Sequence, residues 1–424
     1  MEIYVVQVGD NIYTIAEKYG VSAETLLYDN DIDNPDKLVV GQALLIAYPK
    51  QLHTVQQGDT LQGIAEMYQI SVMQLYRNNP YLSDVEALYP GQTLVISYDT
   101  KRNLTTNGFA FPYIDKNILI KTLPNLTYLS IFNYRLTEDM EIITYFDDTE
   151  IIRTTKSYGT IPLLLFSVLT IKGEIDYDTA YRVILNEENQ NKIIKSLLSI
   201  VREKGYYGVN WVLNVLNSDT QSGLQSFMKK LSDSLKAEGL ILFITINFTE
   251  AIINEKIDYS QFLFYSDDLM FIKLGWSLNT NPPSPVSNIN EIRAILDNAS
   301  LENSADKLII GMPTIGYDWQ LPYTPNRTVA VSINYNSVIE LAYEVNVSIQ
   351  FDETSQTPYF NYNQSQIGIP VQHIVWFIDV RSINALLQLI IEKNLIGSGI
   401  WNIMVYSSQI WMPINTQFNI IKLI

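Results

Sequence analysis

The chain contains no cysteine and only two histidines, His53 and His373, in 424 residues. Disulfides and thiolate metal sites are excluded, and neither a histidine-based triad nor a histidine-rich metal centre is expected. No metal or other cofactor is therefore expected. Positive charge is scarce as well. The 28 Lys and Arg against 45 Asp and Glu leave a net charge of −17, which disfavours nucleic acid and anionic membranes as partners. Met1 to Asn11 lacks both a basic region and a long apolar run, so no secretory signal is expected. The longest apolar run, Ile161 to Leu169, is too short to span a bilayer and reads as a core strand. What is present is a 47% hydrophobic complement, enough for a folded protein of two or three domains.

The front of the chain repeats itself. Val8-Gly9-Asp10-Asn11-Ile12 returns as Gln57-Gly58-Asp59-Thr60-Leu61, and Ile15-Ala16-Glu17 as Ile64-Ala65-Glu66. Tyr19 returns as Tyr68, Asn30 as Asn79, and Gly41-Gln42 as Gly91-Gln92. Each unit starts with a short alternating strand, Tyr4 to Val8 or His53 to Gln56, leading to Gly-Asp. The Asp is expected to cap a helix with apolar residues at helical spacing, Ile12, Ile15, Ala16 and Tyr19 in the first copy. A second helix follows over Ala23 to Asp29 or Val72 to Asn78. A polar loop then leads to a closing strand, Ala43 to Ile46 or Thr93 to Ile96. His53 reads as a surface residue of its strand.

These marks resemble the LysM family: Gly-Asp-x-(Leu/Ile), Ile-Ala-Glu on the first helix, and Gly-Gln-x-Leu-x-Ile at the close. The resemblance assigns residues 1–48 and 52–98 to two βααβ LysM domains. It implies binding of N-acetylglucosamine polymers, peptidoglycan or chitin, between the first turn and the loop after the second helix. Carried over, the groove residues are Gly9, Asp10, Asn11, Ile12, Asp31 and Ile32 in one copy. In the other they are Gly58, Asp59, Thr60, Leu61, Pro80 and Tyr81.

Residues 99–106 are polar and read as a linker. Beyond them, short apolar runs alternate with helical stretches, the pattern of a parallel α/β architecture. Expected strands are Gly108–Phe111, Tyr128–Phe132, Pro162–Leu169, Gly208–Leu213, Ile241–Ile246, Met270–Leu274, Leu308–Met312 and Gly399–Ile403. Helices are expected over Asn186–Lys204, Leu224–Ala237 and Ile289–Ala299. Residues 107–424 thus fit a (β/α)8 TIM barrel, with a small α+β subdomain inserted at about 328–376.

Asn125 to Phe132 with Tyr134-Arg135, then Glu188 to Tyr206, resemble glycoside hydrolase family 18. So do Gly316-Tyr317-Asp318-Trp319, Phe351 to Phe360, Val375-Trp376-Phe377 and Trp401. With the LysM pair, the whole is similar to the family's spore cortex-fragment-lytic N-acetylglucosaminidases. The family's fourth strand carries Asp-Gly-x-Asp-x-Asp-x-Glu, whose Glu protonates the glycosidic oxygen while the preceding Asp orients the substrate acetamide. Here Tyr207, Asn210, Val212 and Asn214 stand at those positions, with Asn210 as in the spore subgroup. The sixth-strand Tyr is Ile272, and the carboxylate after it is Lys273. An amide does not donate a proton at neutral pH, and loss of a general acid costs about 10² to 10⁴ in rate. Glu203 and Asp219 are out of phase with the barrel mouth.

The resemblance also implies a sugar cleft lined by Tyr134, Asn214, Lys273, Trp276, Tyr317, Asp318, Trp319 and Trp401. Lys273 would favour an acidic group on muramic acid or its peptide. The expected function is a non-catalytic, chitinase-like glycan-binding protein of the spore coat, cortex or cell wall, with coat or cortex proteins as further partners. Two alternatives stand beside it: an active N-acetylglucosaminidase with an unorthodox acid, and a structural coat component.

Overall fold

The computed structural model describes residues 1–84, 87–170, 173–274, 280–299, 305–366 and 369–424. In the first LysM unit the strands Glu2–Val5 and Ala43–Ile46 pair antiparallel around the helices Ile12–Tyr19 and Ala23–Asp29. In the second, Gln51–Thr54 pairs with Thr93–Ser97 around Leu61–Tyr68 and Val72–Asn78. The helices form because apolar residues recur every three or four positions: Ile12, Ile15 and Ala16 are buried in one copy, Ile64 and Ala65 in the other.

Asp10 and Asp59 are not the caps. Asn11 and Thr60 cap these helices through their side-chain oxygens. Each Asp sits one residue too early and closes the preceding turn instead. Asp10 accepts from Gln7 N at 2.7 Å and Tyr4 OH at 2.6 Å; Asp59 accepts from Gln56 N at 2.7 Å and bonds His53 Nε2 at 2.8 Å. His53 is thereby a half-buried partner of Asp59 and Tyr68, not a free surface residue.

Eight parallel strands close into a barrel: Arg102–Ala110, Tyr128–Ile131, Ile161–Phe166, Gly208–Leu213, Ile241–Asn247, Asp268–Ile272, Leu308–Pro313 and Gly397–Trp401, with the eighth pairing the first. Each of the eight expected segments overlaps one of the eight strands, with ends shifted by up to six residues, at the first. The linker reading fails over Arg102 to Thr106, which belong to the first strand. These polar residues are in the ladder because Phe418–Ile420 and the eighth strand pair with them on either side.

The inserted sheet is larger than expected. Its five antiparallel strands run in the order Val331–Ile333, Gly316–Leu321, Ile369–Trp376, Thr357–Gln366, Gln350–Asp352, with the helix Tyr335–Glu344 packed on it. It therefore starts at Gly316, directly after the seventh strand, and takes in the Gly316–Trp319 motif.

Alternation along the fourth strand separates two cores. Val209, Trp211 and Leu213 face outward into the helix layer, where Trp211 lies 4.7 Å from Phe227 edge-on. Val212 faces inward with Phe109, Phe243, Met270, Ile272 and Trp401. No helix among the described residues is long and apolar enough to cross a membrane.

Candidate functional site

The inward residues of the fourth strand climb from the floor of the barrel to its mouth in steps of about 6.7 Å. Gly208 is at the floor, where a side chain would meet the carbonyl of Ile241. Asn210 comes next, fully buried. Its amide donates to Ser130 Oγ at 2.8 Å and its carbonyl accepts from Thr245 Oγ1 at 2.8 Å, while Ser130 donates to Asn107. Val212 follows within the apolar ring. Asn214 stands at the mouth, half-buried.

Both ends of the Asn214 amide are engaged. Nδ2 donates to Ser167 Oγ at 2.9 Å, and Oδ1 accepts from Asn247 Nδ2 at 2.9 Å. Asn247 in turn accepts the backbone N–H of Leu274 at 2.8 Å. A belt of hydroxyl and amide groups thus crosses the mouth from the third strand to the sixth. It can accept and donate hydrogen bonds to a neutral ligand, but it offers no titrating proton near pH 7.

Carboxylates are elsewhere. No Asp or Glu ends any of the eight strands or follows one directly. On the inner face of the strands the acidic residue is Asp268, at the start of the sixth. Burial raises its pKa to about 6, but it lies about 13 Å below Ile272, beside Tyr128 at the floor. Glu203 is exposed in the last turn of the helix Glu187–Lys204, which enters the floor; Asp219 is exposed in the loop beyond Asn214. No group of three or more His, Cys, Asp or Glu among the described residues is placed to hold a metal.

Several expected cleft residues lie away from the mouth. Tyr207, at the position of the family's first Asp, is also away from it, at the floor and exposed beside Lys156, because its offset from Asn210, Val212 and Asn214 is odd and the strand turns it the other way. Lys273 alternates outward and pairs with Glu291 of the helix Ile289–Asn298 at 2.8 Å, so its charge is already neutralised. Tyr134 is buried and donates to Asp148 at 2.5 Å. Burial pushes that carboxyl up, but bonds from Tyr134, Tyr206 and Lys204 hold it below the usual range. Asp318 is held by Tyr362 OH at 2.6 Å and His373 Nδ1 at 3.0 Å within the inserted sheet. Tyr317 and Trp319 are buried, the indole N–H of Trp319 donating to Asn281 O at 3.0 Å. Trp276 lies outside the described residues. Trp401 does face the barrel interior, 5.2 Å from Phe109.

Ile272 fills the space that Gly311 leaves, since a Cβ on Gly311 would stand 2.3 Å from it. An aromatic ledge beside the first and second strands was not foreseen. Phe111 stacks on Tyr113 at 5.3 Å and meets Phe132 edge-on at 5.0 Å, and Tyr113 leans on Phe146. Tyr113 and Phe146 are exposed, and their ring faces suit a sugar. The sequence signal was Phe109-Ala-Phe-Pro-Tyr113, aromatics running past a strand's end.

In the LysM units the first turns are open: Gly9, Asn11, Gly58 and Thr60 are exposed, Asp10, Asp59 and Leu61 half-exposed, and Ile12 buried. The second loops face other parts of the protein. Asp31 accepts Ser408 N at 2.5 Å and Ser408 Oγ at 2.8 Å, so its carboxylate anchors the first repeat to the barrel's last helix, Ser408–Asn415. Val40 O accepts Ile349 N at 2.9 Å, and Gly41 approaches Ile349 where no side chain fits. Pro80 is buried, and Tyr81 meets Tyr28 of the first repeat at 5.5 Å. Ile32 remains half-exposed beside the helix Tyr335–Glu344.

The model of glycosyl hydrolases family 18 matches residues 125–404, and the LysM model matches residues 4–47 and 53–97. The chain belongs to glycosyl hydrolases family 18. It is 30% identical to the cortical fragment-lytic enzyme of Bacillus subtilis (strain 168), over 100% of this chain and 99% of that one. Among solved structures it is similar to the spore cortex-lytic enzyme SleL of Bacillus megaterium QM B1551, with a TM-score of 0.80 at 26% identity, covering 100% and 99% of the two chains. SleL of Bacillus cereus gives 0.78 at 26%, covering 99% of each. The chain is a tandem-LysM member of family 18, close to these cortex-lytic enzymes. Its modules indicate binding of N-acetylglucosamine-type glycan.

Proposed function

We propose that this protein binds spore-wall glycan without cleaving it. The observation that carries the reading is the neutral belt of Ser167, Asn214 and Asn247 at the one place where family 18 chemistry supplies a proton. Engaged amides position an acetamido or hydroxyl group well. They do not protonate a leaving oxygen, and the nearest inward carboxyl, Asp268, is at the far end of its strand. The open first turns of the LysM units, Gly9 to Asn11 and Gly58 to Thr60, take the N-acetylglucosamine polymer. The ledge of Tyr113 and Phe146 adds a stacking face at the barrel. Likeness to cortex-lytic enzymes supports cortex peptidoglycan as the glycan and the spore as the place.

Two measurements test this. Purified protein is incubated with spore-cortex fragments and with a fluorogenic N-acetylglucosaminide; no sugar release is expected. Turnover that disappears on changing a nearby Asp or Glu would refute the reading and favour an active enzyme with an unorthodox acid. Retention on insoluble peptidoglycan is expected, and it should fall sharply when the first turns are altered. Without retention, a structural coat role is the better account.

A further inference from the structure

The second repeat sits on the barrel differently from the first. Its helix Val72–Asn78 packs against the helix Lys116–Thr122 and the turn Leu123–Asn125, and Tyr76 lies 6.4 Å from Tyr158. Where the first repeat has Tyr28, the second has Arg77, buried in this seam at 5% exposure. Asn415 of the barrel's last helix donates to its carbonyl at 3.3 Å. The guanidinium has no such partner. Nε is sealed off without a hydrogen bond, and the terminal nitrogens, likewise without one among the described residues, reach solvent. Burial is what acts on this charge, pulling its pKa down to about 10, and no carboxylate among the described residues opposes it.

The neighbouring charge is a second cation, Lys422, whose amine burial and Arg77 together pull down to about 7. Its three hydrogens go to Leu123 O at 2.7 Å, Leu126 O at 2.6 Å and Thr160 Oγ1 at 2.8 Å, so it offers charge but no free donor. Two such cations side by side are out of place in a chain of net charge −17, because buried charges are normally paired. Arg77 ends its own helix, whose dipole offsets only a small part of the cost. An unpaired guanidinium is a fork for two oxygens of one anion, and two cations match a double negative charge. We propose that Arg77 and Lys422 form a binding site for a doubly charged oxyanion of the sulfate and phosphate class, which fastens the second repeat to the barrel. Arg77 grips two oxygens, and Lys422 takes up a proton from solvent as the anion arrives. The inference does not rest on the glycan reading.

The test uses the full chain and sulfate, which keeps its double charge throughout, so any proton taken up belongs to the protein. At about pH 7.5, sulfate at about 10 mM should raise the melting midpoint by about 2 °C. Sulfate also stabilises folded chains by exclusion from their surface, so the reading is the difference from Arg77→Met, which keeps an apolar stem and removes the charge. Without sulfate the variant should melt no lower than wild type, because an unpaired buried charge is gone, and it should gain less when sulfate is added. Calorimetric titration of wild type in two buffers of different ionisation heat should show about half a proton or more taken up per sulfate, and Lys422→Met should abolish that uptake. Equal sulfate gains in wild type and Arg77→Met overturn the site. So does sulfate binding with no proton uptake, or uptake that survives in Lys422→Met.

Discussion

Asp29 ends the second helix of the first repeat and is 8% exposed. It lies close to Tyr98 and Tyr406 in the seam between that repeat and the barrel. Burial raises its pKa to about 7, with repulsion from Asp31 adding to the effect. Below about pH 4 the carboxyl is protonated whether the chain is folded or not. Between about 4 and 7 the unfolded chain releases the proton and the folded chain holds it, so stability falls as pH rises through that window. About 3 pH units at 1.36 kcal/mol each set a ceiling of about 4 kcal/mol for the penalty at pH 8. Asp29→Asn removes the charge at nearly constant volume. Scanning calorimetry at pH 4, 6 and 8 should show the variant gaining stability progressively, from under about 1 kcal/mol at pH 4 toward about 2–4 kcal/mol at pH 8. Parallel pH curves for the two proteins would show that Asp29 is solvated and that the first repeat is not seated on the barrel as described.

Three further outcomes are expected. Gly41→Ala and Gly91→Ala incur similar backbone strain, at φ +87° and +92°, about 1–2 kcal/mol each. Only Gly41 also meets a wall, its Cβ falling 2.0 Å from Ile349 O, so its thermal midpoint should drop clearly further; equal drops would place the first repeat off the insertion. Lys273→Ala should leave affinity for muropeptides and for plain chito-oligosaccharides alike unchanged while lowering stability by about 1–3 kcal/mol, because its partner is the mostly buried Glu291 and not a ligand. Tyr113→Ala should weaken chitotriose binding about tenfold in equilibrium titration without lowering the melting temperature, since the ring is 58% exposed; undiminished affinity would remove the ledge from the site.

The barrel was legible because most of its strands are buried apolar runs; the third, expected over Pro162–Leu169, is Ile161–Phe166, the same run ended three residues sooner. The repeated Asn30 and Asn79 prove to do one job twice. Asn30 brackets the backbone of Leu45, and Asn79 that of Val95. Tyr207 was misplaced by following a motif without its phase, although its odd offset from Asn210 was visible in the sequence. The outward turn of Lys273 obeys the same rule. The seam was not legible at all. Gly41 meets Ile349, and Asp31 meets Ser408, across separations of hundreds of residues, and nothing local marks Asp31 as an anchor instead of a groove wall.

The anchoring of Asp31 to Ser408 has a consequence for avidity. Modules joined by a floppy tether sample many separations and grip any partner within reach. Here the first repeat is bolted at one angle, so the spacing between its open first turn and the barrel is a fixed gauge. Under the proposed glycan reading, strands whose bend and repeat suit that gauge would be held at two points without the entropy loss of freezing a hinge, and ill-fitting strands at only one.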